Sequence, residues 1–189
     1  MILKEIINSI YPLSDKSFKM IEDLVENEFY DKGATFIDKN KRNEKEYILL
    51  NGICKSYLIN PKGEEITITF FDSNTVLSPH TTRTSNGLSI LYFKALTKVE
   101  FATINSSAFE HLITENSEIR EFANTVLRKE LGRKVDKEIS LASLTAKERL
   151  IKFREQFKAF ENLIPHTDIA SYLGITNVSL SRLRGEKSK

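Results

Sequence analysis

Apolar residues near the N-terminus fall at Ile2, Leu3, Ile6, Ile7 and Ile10. This i, i+3, i+4 rhythm sets one helical stripe against a core. Pro12 interrupts it, and Ser14 is placed to cap a second short helix carrying Phe18, Met20, Ile21 and Leu24. From about Val25 to Asn105 the texture becomes short, alternating and β-branched. The segments are Glu28–Tyr30, Ala34–Asp38, Tyr47–Leu50, Cys54–Ile59, Glu65–Phe71, Leu88–Leu96 and Lys98–Ile104. Asp31-Lys32-Gly33, Asn51-Gly52 and Asn60-Pro61-Lys62-Gly63 separate them as turns. Strands of this length and spacing predict a β-sandwich or barrel. Asp72–Gly87 has no periodicity and is rich in Ser, Thr and Asn, so it reads as a loop.

Helical rhythm returns at Ser106. Asn105 or Ser106 can cap a short helix with Phe109, Leu112 and Ile113. A longer pattern runs from Ser117 with apolar residues at Ile119, Phe122, Val126, Leu127, Leu131, Val135, Ile139 and Ala142. A stripe that long needs a covering surface, either the chain's own β-body or the same helix of a second chain. The expectation is dimerisation through Ile119, Phe122, Val126, Leu127, Leu131 and Val135. Gly132 would allow close approach of a partner helix. Thr145-Ala146-Lys147-Glu148 has the capping-box pattern, and Leu150, Ile151, Phe153, Phe157 and Phe160 supply an apolar face beyond it. The organisation expected is a β-body over residues 1–115, a connecting helix over 116–142 and a helical module over 143–189.

The segment His166 to Arg184, HTDIASYLGITNVSLSRLR, fits two short helices packed at a steep angle. Ile169 and Leu173 face inward, and small Ala170 sits where the helices come closest. Gly174 tolerates a left-handed turn, Ile175 anchors it, Thr176 caps the second helix, and Leu180 and Leu183 point in. Asn177, Val178, Ser181 and Arg182 then point outward, where a recognition helix reads base edges in the major groove. Arg can bond guanine bidentately and Asn adenine, while Val178 suits a thymine methyl. Thr167, Thr176, Ser179, Arg184 and Lys187 are candidates for phosphate contacts, which position without reading sequence.

Charge supports a polyanionic partner at this end. Residues 143–189 hold nine Lys/Arg against five Asp/Glu, although the whole chain is only +2. One cysteine, Cys54, excludes an internal disulfide and a thiolate cluster. His80, His111 and His166 are scattered without ligand spacing, so no metal or other cofactor is expected. No nucleophile motif, paired carboxylates or phosphate loop points to an enzyme. No leader and no apolar run of membrane-spanning length is visible, so a cytoplasmic protein without membrane contact is expected.

The order of parts resembles the Crp/Fnr family of bacterial transcription regulators, most of all a branch common in Bacteroidetes. The residues that carry the resemblance are Ala146-Lys147-Glu148-Arg149-Leu150, Ile169-Ala170-Ser171-Tyr172-Leu173-Gly174-Ile175-Thr176 and Leu180-Ser181-Arg182-Leu183-Arg184. The resemblance implies an α+β protein. An N-terminal antiparallel β-roll, a cyclic-nucleotide-binding-like jelly roll with flanking helices, would precede a long dimerisation helix and a winged-helix-type domain holding the helix-turn-helix. It implies double-stranded DNA and a second copy as partners, with RNA polymerase as a further one and a small-molecule effector yet to be identified.

Two departures from the family matter. Nucleotide-binding members hold ribose and phosphate with a Gly-Glu pair and a following Arg, whereas Val76-Leu77-Ser78-Pro79 has neither Gly nor Glu. The Arg position falls near Leu88, and Arg83 lies in the same loop. An effector pocket would involve Leu77, Ser78, Arg83 and Leu88, without the charges a cyclic phosphate needs. The family often has Glu at the position of Val178, which implies a different operator, while Arg182 matches the family's base-contacting Arg. The competing reading is a small-molecule sensor that acts through protein contacts rather than DNA.

Overall fold

The computed structural model describes residues 3–77, 86–158 and 160–185. Two short helices come first, α1 (Leu3–Ile10) and α2 (Asp15–Glu22). Ser14 caps α2 by accepting from the Ser17 amide, as its position in the sequence predicts. Eight strands follow: β1 (Glu26–Tyr30), β2 (Thr35–Ile37), β3 (Lys45–Asn51), β4 (Ile53–Ile59), β5 (Glu65–Asp72), β6 (Thr75–Leu77), β7 (Tyr92–Ala95) and β8 (Val99–Asn105). They form two four-stranded sheets, β1-β8-β3-β6 and β2-β7-β4-β5. β8 pairs antiparallel with both β1 and β3, through Glu28↔Phe101 and Ile48↔Ala102 among others.

β6 corrects the sequence reading, which left Asp72–Gly87 as a loop. Three residues carry too little pattern to be seen, but they pair with β3 at Tyr47↔Leu77, Ile48↔Val76 and Leu49↔Thr75. Gly52 makes the β3–β4 turn at φ 97°, where a Cβ would collide with the Lys98 carbonyl.

Four helices follow the strands in succession, α3 (Ser106–Glu115), α4 (Ser117–Ser143), α5 (Ala146–Gln156) and α6 (Phe160–Leu163), and α7 (His166–Leu173) and α8 (Asn177–Gly185) end the described chain. Asn105 caps α3, and the Asn116 carboxamide accepts from the first amides of α4 at 2.9 and 3.2 Å. The capping box at the start of α5 is complete, with Thr145 and Glu148 bonded reciprocally. The apolar face read from Leu150 to Phe160 does not lie on one helix. α5 ends at Gln156 with Phe157 as its C-cap, and Phe160 belongs to α6. From Thr145 on, the described residues are helical with no strand of their own, so the wing that the resemblance implied is not among them.

Contacts divide the chain into two compact units: Met1–Ser56 with Phe70–Leu131, and Tyr57–Thr69 with Gly132–Lys189. In the first, aromatic rings fill the space between the sheets. Phe36 lies 5.0 Å from Phe101, 5.7 Å from Tyr47 and 6.1 Å from Phe93, centroid to centroid. Beside the β-roll, Ile6, Ile7, Phe18, Ile48, Ala102 and Ile104 form a core with α4.

That core takes the first half of the α4 stripe. Ile119, Phe122 and Val126 are buried in it, so three residues assigned by sequence to a dimer contact are already covered by their own chain. Leu127, Leu131 and Val135 are exposed, as is Ile139. Their four-residue spacing makes one ridge along the helix. Nothing lies within 4 Å of a Cβ built at Gly132, so that side of the helix is open.

The second unit has its own core. Phe153, Phe157, Phe160 and Tyr172 cluster there, with the centroids of touching rings 4.9–5.9 Å apart. Arg149 ties its helices together, donating to the carbonyls of Leu144 at 2.7 Å and Leu173 at 2.9 Å.

Candidate nucleic-acid interface

α7 and α8 are joined by a turn of two residues beyond Gly174. Gly174 ends α7 in the left-handed conformation at φ 66°, and its amide bonds back to Ala170 and Ser171. The Ile175 amide bonds the Ala170 carbonyl at 3.0 Å, which closes the turn. Thr176 then caps α8, its hydroxyl accepting from the Ser179 amide at 3.1 Å. Ile169, Ala170, Leu173 and Leu180 are all nearly inaccessible, whereas Leu183 is only partly covered. The positions required by the motif therefore form a helix-turn-helix.

Gly174 admits a direct check. A Cβ there would sit 3.2 Å from Leu141 Cδ2, on a backbone that L residues rarely adopt. Gly174→Ala is expected to destabilise this unit by about 1 kcal/mol or more. Urea unfolding followed by circular dichroism measures it, and an unchanged midpoint would contradict the turn geometry.

The burial of Leu180 turns the other side of α8 outward. Asn177, Val178, Ser181 and Arg182 are all exposed and occupy one face, with Val178 at 61%. Arg182 makes no hydrogen bond or ion pair among the described residues, so its guanidinium is presented unpaired. Thr167 is exposed at the first turn of α7, and Thr176 and Ser179 lie at the start of α8. Lys187 lies outside the described residues.

Arg184, the remaining candidate phosphate contact among the described residues, is exposed and bonded within its own unit. Its Nε lies 3.1 Å from Glu161 and its Nη1 3.0 Å from His166 Nδ1. Glu161 also holds Arg154 at 2.7 Å, and these cations keep its carboxyl below the usual range. Arg184 thus links α8 to α6 and to the start of α7. Sequence reasoning could not see this, because Glu161 is far from Arg184 along the chain.

The tip of the β4–β5 hairpin belongs to the same unit. The Thr67 amide donates to Ser171 Oγ at 2.8 Å. Glu64 and Glu65 line an open groove of about 820 Å³ together with Thr167, Thr176 and Asn177. Two carboxylates therefore stand beside the start of α8.

In the β-roll unit only two of the four residues expected at an effector pocket, Leu77 and Leu88, are described. Leu77 is fully buried in β6, and Leu88 forms an isolated bridge with Arg42. Ser78 and Arg83 lie outside the described residues. An apolar cavity of about 300 Å³, which the sequence did not suggest, lies instead among Ile48, Val76, Ile104, Phe109, Phe122 and Val126.

These parts define a class of architecture: a two-sheet β-roll and a helix-turn-helix carried on one chain with a long helix before the latter. No protein-family model matches the chain, and no curated protein does either. Solved structures do. FixK2 from Bradyrhizobium japonicum is similar with a TM-score of 0.73 at 20% identity, over 85% of this chain and 82% of that one. A protein from Eubacterium rectale assigned to the crp/fnr family of transcriptional regulators is similar with a TM-score of 0.72 at 15% identity, over 93% and 85%. The c-di-GMP-responsive global regulator CLP of Xanthomonas campestris is similar with a TM-score of 0.70 at 12% identity, over 90% and 89%. The chain has the fold of the Crp/Fnr-type regulators. No helix among the described residues is long and apolar enough to cross a membrane.

Proposed function

We propose that the chain is a sequence-specific DNA-binding transcription regulator of Crp/Fnr type, working as a homodimer on a near-palindromic operator. The observation that carries this reading is the exposed face of α8, where unpaired Arg182 stands beside Asn177, Val178 and Ser181. The fold shared with FixK2 and CLP supports it, as does the basic balance after residue 143. The ridge Leu127–Leu131–Val135–Ile139, exposed in the single chain, is the surface offered to a second copy. Two copies would set their recognition helices on half-sites about 34 Å apart. RNA polymerase is the further partner of such a regulator. Selection of bound sequences from genomic fragments tests the reading, with binding that weakens steeply as salt rises.

The input is not a cyclic nucleotide held in the family manner. Phe36, Tyr47, Phe93 and Phe101 occupy the interior of the β-roll, and the stretch at Leu77 brings no carboxylate to a ribose. Calorimetry with cAMP and cGMP is expected to show no micromolar binding, and a micromolar Kd for either would overturn this part.

A further inference from the structure

A second concave site lies in the helix-turn-helix unit, away from the face that α8 presents. It is a cavity of about 380 Å³ between the C-terminal half of α4, α5 and α7. Its floor carries three cations, Lys137, Arg149 and Lys152, all at least half-covered, beside Ser140 and the rings of Phe153 and Tyr172. The carboxylates in its lining, Asp136 and Glu155, are exposed, as is Arg133.

None of the three floor cations has a carboxylate partner among the described residues. Lys137 Nζ donates to the carbonyls of Thr67 and Ile68 and sits 4.0 Å from the centroid of Tyr172. Lys152 Nζ donates to Ser140 Oγ at 3.0 Å. Arg149 donates to the carbonyls of Leu144 and Leu173 and has N–H groups to spare. Buried cations are ordinarily paired. Here the compensation is by neutral oxygens and a ring face, and burial pulls the Lys137 ammonium down to about 8. Such a floor gains from a bound anion.

We propose that this cavity is a binding site for a phosphomonoester nucleotide. Three converging cations match a dianionic terminal phosphate better than the single charge of a cyclic phosphodiester. Phe153, Tyr172 and Leu173 give a base an apolar wall, and the volume lies in the range of small-molecule sites, about 300–1,000 Å³. The site joins α4 to the first helix of the helix-turn-helix, so an occupant would brace the unit that carries α8.

The test uses full-length protein, with AMP and GMP as probes in isothermal titration calorimetry. Saturable binding of at least one nucleotide is expected. It should weaken by about tenfold or more in Lys152→Met and in Lys137→Met, with thermal melts confirming that the variants fold. Adenosine should not bind, and cAMP should bind at least about tenfold more weakly than AMP and outside the micromolar range. If Lys137→Met fails to fold, lysine-selective NMR on the unaltered protein takes its place, and the Lys137 titration should move upward when AMP is added. No saturable binding of AMP or GMP up to about 5 mM, unchanged affinity in Lys152→Met, or inorganic phosphate binding as tightly as AMP would each overturn the proposal. No DNA enters the measurement, so failure here leaves the DNA-binding reading intact, and failure of that reading leaves this one intact.

Discussion

Leu131→Glu is expected to leave the chain folded and to make it monomeric. Leu131 is 63% exposed in the single chain, so a carboxylate there meets water and costs the isolated fold little. In a dimer the same carboxylate would be buried without a partner, on a ridge shared with Leu127, Val135 and Ile139. An unpaired buried charge costs roughly 3–5 kcal/mol, enough to weaken association by at least about a hundredfold. Light scattering should report the change of mass while circular dichroism stays the same. Operator affinity should fall with it, because two linked half-sites gain about 10²–10⁴ over one. A variant that remained dimeric would place the interface elsewhere.

Phe122→Ala on the same helix should do the opposite. Phe122 is 2% exposed and lies in the core with Ile21, Ile48 and Ile104. Removing a buried Phe ring costs about 3–5 kcal/mol, part of it from the cavity left behind. Urea unfolding should show that loss, with dimerisation retained under native conditions. A loss below about 1 kcal/mol together with a monomeric protein would mean that Phe122 faces a partner after all. The two variants divide a single apolar stripe into an inward half and an outward half.

That division is what the sequence could not express. The periodicity of α4 marks which positions are apolar, but a stripe from Ile119 to Ala142 looks the same whether α1, β3 and β8 cover it or a second chain does. Covering is decided by residues distant in the chain, such as Ile6 and Ile104. The helix starts, by contrast, were legible because their hydrogen bonds are local. Ser14, Asn105, Thr145 with Glu148, and Thr176 each cap within three residues. The left-handed Gly174 was legible for the same reason.

The same contrast runs through the candidate sites. Asn177, Val178, Ser181 and Arg182 share a face because of helical spacing alone, so the pattern places them together. The bonds of Arg184 to Glu161 and His166 were not legible, because only the folded unit brings those residues there. β6 was missed because its three residues depend on pairing with β3. The cationic cavity was invisible because Lys137, Arg149 and Lys152 come from two helices and meet only across the packed unit. Local rules reach as far as the next turn of helix, and sites built between elements lie beyond them.

The most direct test of the regulator account is binding of the full-length protein to sequences selected from genomic DNA, with Arg182→Ala alongside. The account predicts a two-fold-symmetric consensus, and a loss of about 1–3 kcal/mol of base discrimination at one position of each half-site in the variant. Weak binding indifferent to sequence, or the same consensus and affinity for both proteins, would contradict it.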